Sequence, residues 1–62
     1  QLDADGATCG AVRVRVADRA TVEGELDTRE GQLDAAWALA NLVWEGRVSI
    51  DDPVFARLDQ LP

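Results

Sequence analysis

The residues of this chain that most readily suggest chemistry are its carboxylates, six arginines and one thiol, and no histidine or lysine is present. Asp3-Ala4-Asp5-Gly6 places alternating acids ahead of a glycine, as a calcium loop does. In that register the twelfth position falls on Val12, where a bidentate glutamate is required. A solvated acidic tail is the better account. Cys9 lacks the base that would make it a nucleophile, and it suits the start of a strand as a small residue. Glu23 and Glu25 share a strand face, yet Arg15 and Arg13 are their natural salt partners, and solvated pairs have no cause for shifted pKa values. Asp51-Asp52 is too short for a metal site and instead favours a helix N-terminus. No glycine-rich phosphate loop follows a strand. The expectation is no catalytic set, no metal and no cofactor, and therefore no enzyme acting alone.

Charge narrows the partners further. Twelve acids against six bases give a net charge of -6, which argues against nucleic acid, since a phosphate-backbone binder needs a basic face. A single cysteine excludes an intrachain disulfide. No apolar run approaches the roughly 18 residues of a membrane span, and no secretory leader is visible. A cytoplasmic protein is expected, and the Ala, Asp, Val and Arg bias suits a high-GC bacterial genome. At 62 residues the chain is one small domain, able to bury only about 60% of its unfolded surface.

These side chains must be carried by a few short elements. Residues 1–10 are small and polar and read as a flexible acidic lead-in, leaving 11–62 as a single α+β domain. Ala11–Ala17 alternates valine with arginine, and Thr21–Leu26 puts Val22, Gly24 and Leu26 on one face, so both are half-buried strands. Setting Val12 against Leu26, Val14 against Gly24 and Val16 against Val22 also opposes Arg13 to Glu25 and Arg15 to Glu23. A helix follows from Gln32 to Glu45, capped by Asp27 or Thr28 and stopped by Gly46. Arg47–Ile50 is a short extended piece, a strand or a turn. Ser49 or Asp51 then caps a second helix from Pro53 to about Gln60, with Val54, Leu58 and Leu61 on one side and Phe55 beside them. The expected fold is thus a small β-hairpin, an apolar helix and a short C-terminal helix, in the order ββα(β)α.

The helix has too little polar surface for so small a domain. Between Ala35 and Trp44, Asn41 is the sole polar residue, whereas a surface helix shows an apolar stripe only about 100° wide. Leu33, Trp37, Ala40 and Trp44 fall on one line, with Leu39, Leu42 and Val43 on the flanks. Either Trp37 and Trp44 are core, or the line docks onto a second copy or a larger protein. Aromatics among small apolar residues are the composition of interface anchors. The expected docking residues are Leu33, Trp37, Leu39, Ala40, Val43, Trp44 and Phe55. A small acidic interaction module of this kind would act as an antitoxin-like neutraliser, an inhibitor or an accessory subunit.

Two other possibilities stand beside it. The stretch from Leu33-Asp34 through Trp44-Glu45-Gly46 to Ser49 and Leu58 is similar to the helical part of the recognition elements that bind leader peptides in modified-peptide biosynthesis. That family has a strand ribbon followed by three helices. The resemblance implies a winged-helix-type module that takes a peptide as an added strand, here along an edge beside Val12–Val16. It covers residues 33–58, and the family's third helix and its spacing after Gly46 are not reproduced. Alternatively, the chain is a non-catalytic subunit lending Arg47, Asp51 and Asp52 to a partner's active site.

Overall fold

A computed structural model describes residues 1–59, the side chain of Asp59 excepted. Three strands, β1 (Gly6–Cys9), β2 (Val12–Val16) and β3 (Ala20–Gly24), precede two helices, α1 (Arg29–Trp44) and α2 (Pro53–Asp59). The strands form one antiparallel sheet in the order β1-β2-β3. α1 lies across β1 and β2, and α2 packs on β3. The fold is α+β, as expected. The places expected for Gln60 and Leu61 lie outside the described residues.

β1 is drawn from the segment expected to be a lead-in, and that expectation is corrected. Gly10-Ala11 forms a two-residue loop between Cys9 and Val12, with Gly10 at φ 57. A glycine at the first position of such a loop provides the positive φ that tight hairpins need. Ala7 then reaches the core at 1% exposure. Small residues without alternating charge carry no period-two signature, so only the turn glycine announced this strand.

The β2–β3 register is also corrected. Val12 faces Gly24, Arg13 faces Glu23, Val14 faces Val22 and Arg15 faces Thr21. This is a shift of two residues, which keeps every side chain on its expected face. The shift lets β3 end at Gly24, so that Leu26 leaves the sheet and packs against the core from the connection to α1. It also removes the expected pairing of Arg13 with Glu25 and of Arg15 with Glu23. A further consequence concerns peptide binding. β2 is the middle strand, paired on both sides, so the edge expected beside Val12–Val16 does not exist.

α1 begins three residues earlier than expected because Thr28 is its cap, its Oγ1 accepting the Gly31 N–H at 3.0 Å. At the other end Gly46 takes φ 73. Its N–H donates to the Val43 carbonyl at 3.0 Å, and that of Arg47 donates to Leu42 at 2.9 Å. These are the two bonds of a Schellman closure. Of the short strand or turn expected at Arg47–Ile50, the turn is what forms. Val48 is buried but Ser49 and Ile50 are exposed, so no face repeats with period two. Asp52, not Ser49 or Asp51, caps α2, accepting the Val54 N–H at 2.9 Å, with Pro53 in the first helical position. The core gathers Ala7, Val12, Val14 and Val22 from the sheet, Ala35, Ala38, Leu39 and Leu42 from α1, and Val48 and Val54 beyond it.

Candidate docking face

Helical geometry decides how α1 divides its circumference. Gly31, Ala35, Ala38, Leu39 and Leu42 are its buried residues. At roughly 100° per residue they fall within one sector of roughly 100°. Leu33, Trp37, Ala40 and Trp44 lie on the opposite side, all exposed. The two tryptophans are 65% and 89% exposed and Leu33 is 55% exposed. They are not core residues. Ala36 and Val43 occupy the side nearer α2, and only Glu30, Asp34, Asn41 and Glu45 make a polar strip on the other side.

Leu39 is corrected as a docking residue, since it is fully buried and one of the largest core side chains. The other six expected residues remain on or beside the exposed face. Ala40, Val43, Trp44 and Phe55 line a groove of about 510 Å³ between α1 and α2, with Ala36, Ile50 and Leu58. Leu33 and Trp37 continue the apolar surface along α1. Ile50, 74% exposed, was not legible from the sequence because it stands alone between Ser49 and Asp51. Ala36 and Leu58 were legible only once α1 and α2 had been placed side by side.

The polar groups are engaged elsewhere. Asp3 Oδ1 accepts the Asp5 N–H at 2.8 Å and the Gly6 N–H at 2.9 Å. Its Oδ2 meets the Arg13 guanidinium at 3.2 Å, and Arg13 also donates to Thr8 Oγ1 at 3.0 Å. Asp5 stands 4.0 Å from the same guanidinium. Arg47 donates to the carbonyls of Asp3 and Ala4 at 2.9 and 3.0 Å. The acidic tail is therefore a tight turn tied to β2 and to the end of α1. Among the described residues no cluster of three or more His, Cys, Asp or Glu side chains could hold a metal ion.

The backbone N–H of Asp5, reinforced by Arg13, holds the Asp3 carboxyl below its ordinary value of 3.8. A depressed folded-state pKa gives stability that is complete above the unfolded value and lost as pH falls through the folded one. Thermal melts from about pH 6 to about pH 2 should show this loss, and Asp3→Asn should flatten it. Equal acid sensitivity in both proteins would assign the effect to other carboxylates.

Cys9 donates its thiol to Asp34 Oδ1 at 3.5 Å. Burial, followed by that hydrogen bond and the Asp34 charge, raises its pKa. A thiol so held is protonated at neutral pH and is a poor nucleophile. At the helix–helix corner Arg47 and Asp52 serve as tether and cap, and Asp51 is exposed with its N–H bonded to Ser49 Oγ at 3.2 Å. Among the described residues no helix is long and apolar enough to cross a membrane. Compared with protein-family models, curated proteins and solved structures, the chain has no match.

Proposed function

We propose that this chain is a protein-interaction module that docks through the outer face of α1 and the groove beside α2. One observation carries the reading: Trp37 and Trp44 stand exposed opposite the core, and Trp44 lines an apolar groove. An isolated exposed leucine is ordinary, whereas a contiguous apolar face marks an interaction site. Tryptophan is also the residue most enriched among binding hot spots.

Ala40 tests this reading, because it is exposed and lines the groove. Ala40→Asp should cost about 1 kcal/mol of folding stability, from lower helix propensity and from a carboxylate near the negative end of α1, which leaves the domain folded. An unpaired charge inside an interface costs about 2–5 kcal/mol, so association should weaken at least about tenfold. Immobilised wild-type chain should retain itself or a protein from its host's soluble extract, and Ala40→Asp of unchanged circular dichroism should not. Equal retention by the two proteins would end the reading.

A second reading is favoured by the sheet edges. Residues 1–3 cover β1, with a bridge from Leu2 to Ala7 and a bond from the Thr8 N–H to the Gln1 carbonyl at 2.9 Å. Among the described residues β3 has β2 on one side and no strand on the other. A peptide added as a strand would therefore pair with Ala20–Gly24. Titrating the isotope-labelled chain with an extended apolar-basic peptide should then shift and protect β3 amides. An unchanged β3 at millimolar peptide rejects it.

A further inference from the structure

Resting on the docking reading, we infer that the occupant of the α1 face is a second copy of this chain, its α1 antiparallel to the first across a two-fold axis. The positions 33, 37, 40 and 44 are separated by four, three and four residues, the spacing of a helix–helix seam. That spacing reads the same from either end, so an antiparallel copy meets it in register. In that register large faces small, because Trp37 lies over Ala40 of the second copy and Ala40 under its Trp37. Leu33 meets Trp44 at each end. A face that must be its own complement is the requirement of a two-fold interface.

Charge agrees with this pairing. The chain carries -6 overall, yet none of the four seam residues is charged, so like charges do not meet at its centre. On the flank Asp34 faces Asn41 of the second copy rather than another carboxylate. Glu30, the next position outward, meets the turn that carries Arg47. Antiparallel packing also sets the positive N-terminal end of each helix beside the negative end of the other.

The area is sufficient as well. Two tryptophans offer about 150–250 Å² each, and with Leu33 and the neighbouring groove wall a copy covers on the order of 500 Å². The total of about 1,000 Å² is where specific interfaces begin. For a molecule with 4368 Å² of accessible surface this is a substantial share.

An exchange of residue sizes tests the register. Wild-type residues 1–62 should be dimeric by light scattering at micromolar concentration, with blue-shifted tryptophan emission that reddens on dilution. Ala40→Trp sets tryptophan against tryptophan, and Trp37→Ala leaves alanine against alanine. Each should weaken the dimer at least about tenfold. The double variant Trp37→Ala with Ala40→Trp restores large over small in both central layers and should recover most of the affinity. In a Cys9→Ser background, Leu33→Cys mixed with Trp44→Cys should form a mixed interchain disulfide, while neither alone should cross-link. A wild-type monomer, a double variant no better than the singles, or Leu33→Cys cross-linking to itself would each overturn the pairing. A monomer that still captures a different protein in an Ala40-dependent way would leave docking standing and remove only the second copy.

Discussion

Leu39→Ala is expected to remove most of the stability of this domain, and Trp44→Ala almost none of it. Leu39 is completely buried between the sheet and the rest of the core. Truncating a buried leucine costs about 2–5 kcal/mol, from lost transfer energy and from the cavity left behind. A domain of this size holds only about 3–9 kcal/mol in total. Urea unfolding followed by circular dichroism should therefore show a midpoint lowered by half or more, or no folded baseline. Trp44, 89% exposed, contributes little to a monomer's fold, and its loss should change the unfolding free energy by about 0.5 kcal/mol or less. The contrast is to be read at low protein concentration, because association would itself add apparent stability. A tolerant Leu39 with a destabilised Trp44→Ala would place the wrong side of α1 in the core.

Gly31→Ala is the second large effect, and here two principles oppose each other. Alanine is a better helix former than glycine by about 1 kcal/mol, so propensity predicts a gain. The first turn of α1 is nevertheless pressed onto the preceding connection. A Cβ at Gly31 would collide with the Glu25 carbonyl oxygen and stand 2.7 Å from its carbon, with Thr28 Oγ1 at 3.2 Å. Backbone cannot swing aside as a side-chain tip can, and Thr28 is the cap of the same helix. Overpacking of this kind costs about 1–3 kcal/mol. Since the displaced Glu25–Thr28 segment would also disturb the cap, the expected outcome is a net loss of about 1–2 kcal/mol, measured by chemical unfolding. An unchanged or raised midpoint would show that the connection yields and propensity prevails.

The strands and helices were legible where local rules govern. Valine alternating with arginine placed β2 and assigned its two faces, and Val22 followed on β3. Thr28, Gly46 and Pro53 marked helix ends because capping is settled within about one turn of chain. β1 was missed because Gly6-Ala7-Thr8-Cys9 has no alternation of its own and becomes a strand only by pairing with β2. The arginine partners were missed for a related reason. Strand alternation alone sets Arg13 across the hairpin from Glu25, whereas the folded N-terminal turn brings Asp3 to it.

The proposed docking face shows the same division more sharply. Composition established that α1 is apolar over most of its circumference, that the domain is too small to cover it, and that no histidine, metal cluster motif or phosphate loop accompanies it. It did not establish which side turns inward. A helix with alanine, leucine and tryptophan all round presents no single stripe, so both Leu39 and Trp37 were plausible members of either face. The choice belongs to the tertiary structure, where Ala35 and Ala38 let the helix approach the sheet closely enough to enclose Leu39 and Leu42. Large indoles do not fit that approach and are left on the opposite side. The groove with α2 is likewise a product of the fold, since Ala36, Val43, Ile50, Phe55 and Leu58 become neighbours only when the capped turn at Gly46 brings the second helix back. Local patterns write the elements and their ends, and long-range packing decides which apolar surfaces stay exposed.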